Sequence, residues 1–211
     1  MNPQQELQKA IAFHQAGDLA GAEKTYRAVL RVAPRNFDAN YLLGVLLLTT
    51  GQFAGAEKQL NRAIKIKPTA KAFNDHGNAL LELDGAAQAL KSYNRAIALD
   101  PRFAEAFNNR GNALARLNQV KEAVASFDKA VSINPGYARA YYNRGNSLRT
   151  LKKLPEALAD YDHAIAIEPN YIEAHNNRGN TLLDLQRLEE ALAAYDKVVS
   201  LDPFFADRTQ T

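Results

Sequence analysis

Apolar positions recur along this chain at helical spacing, in short blocks. Phe107, Gly111 and Leu114 stand at i, i+4 and i+7, and Val120, Ala123, Phe127 and Ala130 continue the same logic after a break at Leu117–Asn118–Gln119. The pattern predicts two short amphipathic helices joined by a tight turn. Pro135 falls just past the last apolar turn of the second, where proline cannot continue a helix. Pro155 fits the scheme because it opens a second helix, where its missing N–H costs nothing.

The unit repeats. Pro34, Pro68, Pro101, Pro135, Pro169 and Pro203 are spaced by 34, 33, 34, 34 and 34 residues. Gly44, Gly77, Gly111, Gly145 and Gly179 form a second column, with Ala10 in the first copy. Ala22, Ala56, Ala89, Ala123, Ala157 and Ala191 form a third, and Tyr26, Leu60, Tyr93, Phe127, Tyr161 and Tyr195 a fourth. A fixed period of this length marks a stacked repeat architecture, in which each unit buries its apolar face on its neighbours. The glycine and the alanine allow close helix approach, and the aromatic fills the space one turn later.

These columns resemble the tetratricopeptide repeat family. The resemblance implies an all-α, right-handed superhelical solenoid of six helix-turn-helix repeats, about 3–36, 37–69, 70–103, 104–137, 138–171 and 172–205. The expectation is one solenoid over 1–205, with 206–211 the start of a seventh repeat or a tail. The first helices would line its concave surface, where family members commonly hold peptides. The 33-residue spacing comes from "KPTAKA", where other copies carry an extra aromatic (Phe103, Tyr137, Tyr171 and Phe205), and it predicts a local change of stacking angle.

The phrases "NNRGNAL", "YNRGNSL" and "NNRGNTL" raise a question that packing does not answer. Asparagine is about 0.5 kcal/mol worse than alanine in a helix interior. On a wheel of about 100° per residue, Asn112 points away from Phe107 and Leu114, and Asn108 and Asn109 lie within about 60° of it. Stacking would turn these positions into rows: Asn78, Asn112, Asn146 and Asn180; Asp75, Asn109, Asn143 and Asn177; Asn74, Asn108, Tyr142 and Asn176. An amide offers two donors and an acceptor, so such rows can hold the backbone of an extended peptide whatever its side chains. The other reading is that the amides bond to the next repeat and hold the stack. If they face an open groove, alanine at 112, 146 and 180 is expected to cost little stability and much binding.

Asparagine rows on this architecture also resemble the substrate-binding array of O-linked N-acetylglucosamine transferases and their bacterial relatives. That resemblance implies that Asn109, Asn143 and Asn177 hold substrate backbone. Three functions follow as expectations: a non-catalytic interaction scaffold, the N-terminal array of a glycosyltransferase-like enzyme, or a self-assembling scaffold. The third rests on apolar residues at two places. Leu7, Ile11, Tyr41, Leu42 and Val45 occupy the groove face of the first two copies, where they either bind a partner or pack on one another. Leu192 and Val199 lie on the last helix with no capping segment after it, so the chain is read as a fragment or as self-associating.

Arg110, Arg144 and Arg178 precede the glycines, and Asp128, Asp162 and Asp196 follow eighteen residues later; where one changes, so does the other. Structural ion pairs explain this, as would an arginine row for an acidic ligand. His175 stands in an aromatic column and reads as a packed substitute. No phosphate loop, zinc-protease motif or nucleophile elbow occurs, so no enzyme, cofactor or metal is expected. The net charge of +3, with basic and acidic residues interleaved, weighs against nucleic acid. The longest apolar run, Leu42 to Leu48, falls short of the ~20 residues of a membrane span. The start carries no secretory signal, which places the protein in the cytoplasm by default, with a protein or peptide partner.

Overall fold

The computed structural model describes residues 2–204. These form twelve α-helices in six antiparallel pairs: α1 (Pro3–Gln15) with α2 (Leu19–Val32), α3 (Phe37–Thr49) with α4 (Phe53–Ile66), α5 (Ala70–Glu82) with α6 (Ala86–Leu99), α7 (Ala104–Arg116) with α8 (Val120–Ile133), α9 (Ala138–Thr150) with α10 (Leu154–Ile167), and α11 (Ile172–Asp184) with α12 (Leu188–Leu201). The fold is an all-α array of helix pairs. The expected seventh copy and Phe205 lie outside the described residues. Two compact units are present, 1–109 and 110–211, with the boundary inside α7. In the first unit, α2 packs on α3, α4 on α5, and α3 touches α5; in the second, α8 packs on α9, α10 on α11, and α9 touches α11.

Each pair turns at one position with positive φ. Gly17 and Gly51 take it in the first two pairs, and Asp84, Asn118, Lys152 and Gln186 in the others, at φ between 57° and 61°. The left-handed conformation is what reverses the chain within two or three residues, and glycine adopts it without steric cost. The 33-residue spacing is absorbed between pairs: the segment 67–69 replaces the longer connections at 100–103, 134–137 and 168–171. Thr69 caps α5 there by accepting from the Ala72 N–H at 3.2 Å.

In the second to sixth pairs the glycine faces the aromatic column directly, with Leu60 in the aromatic's place in the second. A Cβ placed on Gly111 would lie 2.5 Å from the Phe127 ring, and one on Gly77 2.5 Å from Tyr93. The alanines at 22, 56, 89, 123, 157 and 191 are fully buried elsewhere in the core. Gly111→Leu is therefore expected to destabilise the second unit by about 1–3 kcal/mol through overpacking. A thermal melt matching the parent's would refute the assignment.

Candidate functional site

The first helices carry the candidate amides, and hydrogen bonds divide them into two sets. In the first unit, Asn109 Nδ2 donates to Asn74 Oδ1 at 3.0 Å and to Asn78 Oδ1 at 3.1 Å. Asn109 Oδ1 accepts from Asn108 Nδ2 at 3.1 Å. In the second unit, Asn177 Nδ2 donates to Asn146 Oδ1 at 2.8 Å and to the Tyr142 hydroxyl at 3.2 Å, while its own Oδ1 accepts from Asn176 Nδ2 at 3.5 Å. Both N–H groups of Asn109 and of Asn177 thus bond to the preceding pair. These amides hold the stack. Asn74 and Asn108 are only 1% exposed, so that edge of the face is not open as the wheel suggested. Asn74 Nδ2 reaches Glu105 Oε1 at 3.1 Å and Asp75 Oδ1 at 3.4 Å, and Asp75 Oδ2 accepts the Tyr41 hydroxyl at 2.7 Å. Burial pushes the Asp75 carboxyl up, against the Tyr41 bond that favours its charged form. Asn143 is half-buried on α9.

The row of Asn78, Asn112, Asn146 and Asn180 behaves differently. Asn78 Oδ1 accepts the Tyr93 hydroxyl at 2.9 Å, Asn146 Oδ1 the Tyr161 hydroxyl at 2.8 Å, and Asn180 Oδ1 the Tyr195 hydroxyl at 2.7 Å. The aromatic column and the amide row are therefore one device, fifteen residues apart. Fixing Oδ1 on a phenol from within the pair directs the other end of the amide outward. The Nδ2 donors of Asn78, Asn146 and Asn180 have no partner among the described residues, and all three residues are partly exposed. In the pair of Asn112 the aromatic is Phe127, which has no hydroxyl to donate. This geometry corrects the expectation that alanine is harmless along this row. Asn146→Ala would remove an acceptor of the buried Tyr161 hydroxyl and leave it only Thr181, at a cost of about 1 kcal/mol.

Ion pairs account for two of the three arginines. Arg144 grips Asp160 through Nε at 2.8 Å and Nη2 at 2.6 Å, and Asp128 of the preceding pair through Nη1 at 2.6 Å. Arg178 Nε bonds Asp162 of the preceding pair at 2.6 Å. The pairing is thus between adjacent repeats, sixteen residues back rather than eighteen forward. In the third pair His76 takes the arginine's place, with Nδ1 2.9 Å from Ser92 Oγ. Desolvation holds its imidazole below the usual range. Arg110 Nε is buried without a hydrogen-bond partner, and Ser126 stands where Arg144 has Asp160. His175 is buried and donates from Nε2 to the Pro169 carbonyl at 3.0 Å.

Of the apolar candidates, Leu7 is core at 6% exposure, and Ile11, Tyr41, Leu42 and Val45 pack partly buried against the same cluster. Leu192 and Val199 are open, at 62% and 58%. Among the described residues there is no group of side chains able to hold a metal ion, and no helix is long and apolar enough to cross a membrane.

A tetratricopeptide repeat family model matches residues 7–71 and 74–138, and related repeat models match 126–159, 145–186 and 172–205. A comparison with curated proteins gave no match. Among solved structures, PilF of Pseudomonas aeruginosa superimposes with a TM-score of 0.81 at 18% identity, over 99% of this chain and 95% of that one. A repeat protein from Parabacteroides merdae gives 0.80 at 21% identity, over 94% and 79%. YrrB, described as a repeat protein with an unusual peptide-binding site, gives 0.69 at 25% identity, over 80% and 88%.

Proposed function

Because the chain belongs to the tetratricopeptide repeat family, we propose that it is a non-catalytic protein-interaction module that holds an extended partner segment by its backbone carbonyls. The observation that carries this is the outward N–H donors of Asn146 and Asn180 in the second unit, whose oxygens are anchored on tyrosine hydroxyls. A row of donors with fixed direction suits acceptors that recur along a chain. Side-chain identity then matters little, because every residue of a peptide has a carbonyl. The peptide-binding site described for YrrB supports the same use of this fold. The finer likeness to transferase arrays rests on Asn109 and Asn177, whose N–H groups already serve the stack, so the proposal stays with the open row.

The test is binding of labelled twelve-residue peptides to the full chain. Permuting uncharged side chains is expected to leave affinity within about threefold, since main-chain hydrogen bonds supply most of it. A helix-locked version of the same peptide is expected not to bind. Affinity that follows side-chain order alone would contradict backbone recognition.

Self-association has one observation of its own. Leu158, the counterpart of Leu192 one repeat earlier, is 7% exposed and clusters with Leu182 and Ala191 of the next pair. Leu192 meets no such cover among the described residues. Replacing Leu192 and Val199 with glutamate is expected to reduce association and leave helicity unchanged. A parent chain that sediments as a monomer at high concentration removes this reading.

A further inference from the structure

In the second unit the ends of α9 and α11 enclose a cleft of about 380 Å³ lined by Asn146, Arg149, Thr150, Lys152 and Asp184. Its chemistry is unlike the rest of the first-helix face. Asn146 contributes the open Nδ2, because its oxygen is taken by Tyr161 and by Asn177. Thr150 donates its hydroxyl to the Asn146 carbonyl at 3.0 Å, which leaves its oxygen facing outward as an acceptor only. Arg149 uses Nε at 3.2 Å and Nη2 at 3.0 Å on a single oxygen of Asp184. Its Nη1 has no bond to the described residues. The pair is exposed on both sides, 37% and 43% of the side chains, so solvent already competes for it and exchange for another carboxylate is easy. Lys152 sits exposed at the turn with φ of 61°, and its ammonium has no ion partner among the described residues. The cleft therefore holds two cations against one carboxylate, next to an outward amide donor.

We propose that this cleft receives an aspartate or glutamate side chain of the held segment. The inference rests on the peptide-holding reading: Asn146 Nδ2 takes a backbone carbonyl, and the neighbouring side chain enters the cleft. There its carboxylate meets Arg149 Nη1 and Lys152. Counterparts of Arg149 elsewhere are His14, Leu48, Leu81, Ala115 and Leu183, so an arginine stands at this register alone. A segment would be held along its backbone by the amides and fixed in position by one acid.

The test uses labelled peptides of glycine, serine, threonine and valine in which one glutamate is walked through every position, each paired with its glutamine isostere. The expected result is one register at which glutamate binds about tenfold tighter than glutamine, the strength of a charge-assisted contact. The pair Arg149→Gln and Lys152→Gln is expected to abolish that preference and leave glutamine-peptide affinity unchanged. Lys121→Gln with Lys129→Gln on α8, an equal loss of charge elsewhere, is expected to keep the preference. If peptides bind with no preferred register, or if both double variants lose the preference alike, the cleft inference falls and the peptide-holding reading survives. A preference for lysine, read by Asp184, overturns it as well. If no peptide binds at all, the peptide-holding reading fails and takes this inference with it.

Discussion

Asp160→Ala is expected to lower the stability of the second unit by about 3 kcal/mol, the cost of removing one partner from a buried ion pair. Asp160 is 3% exposed, and both its oxygens are held by Arg144. Without that carboxylate the guanidinium keeps only the exposed Asp128. Its charge is then partly buried with two of its three hydrogen bonds gone. The hydrogen bond to Asp160, against the opposing effect of burial, is the main reason the Arg144 guanidinium is pushed above its ordinary range. Repeat arrays unfold in neighbouring segments, so the loss should centre on α8 to α10. Hydrogen exchange resolves this: amides of α9 and α10 should open earlier than those of α1 and α2. Uniform protection equal to the parent's would show that the pair contributes nothing.

Changing Asn146 and Asn180 together to aspartate is expected to cost about 1–3 kcal/mol of binding, or about 5- to 150-fold. Aspartate keeps an oxygen for Tyr161 and Tyr195, so melting should stay close to that of the parent. It replaces each outward N–H₂ with an oxygen, which repels a carbonyl. The corresponding alanine variant removes both groups, so it should melt earlier and bind worse. Affinity retained by the aspartate variant would show that these amides serve the fold alone.

The period, the helix pairs and the proline positions could be read directly from the sequence, because packing at close helix contacts restricts glycine, alanine and proline in every copy. The break at Leu117–Asn118–Gln119 was legible too, but the positive φ at its centre was not, since Gly, Gly, Asp, Asn, Lys and Gln share that backbone sign and no chemistry. The candidate amides were visible, but their division was not. A helical wheel shows which way Asn108 and Asn112 point within one helix; it does not show that Asn109 reaches back to two oxygens of the pair before it. The tyrosine and asparagine columns were each legible, and the hydroxyl that joins them was missed because tyrosine was read as core filling. Asp160 shows the same limit. Its partner Arg144 lies on another helix, sixteen residues back in the chain, where spacing within one helix does not reach.

Side-chain amide resonances test the central claim most directly. In a ¹⁵N-labelled full chain, adding an extended peptide is expected to shift the Nδ2–H₂ signals of Asn146 and Asn180 and slow their exchange with water. The signals of Asn109 and Asn177, already bonded on both protons, should move little. Unmoved signals from the open row in the presence of a peptide that binds would contradict the account.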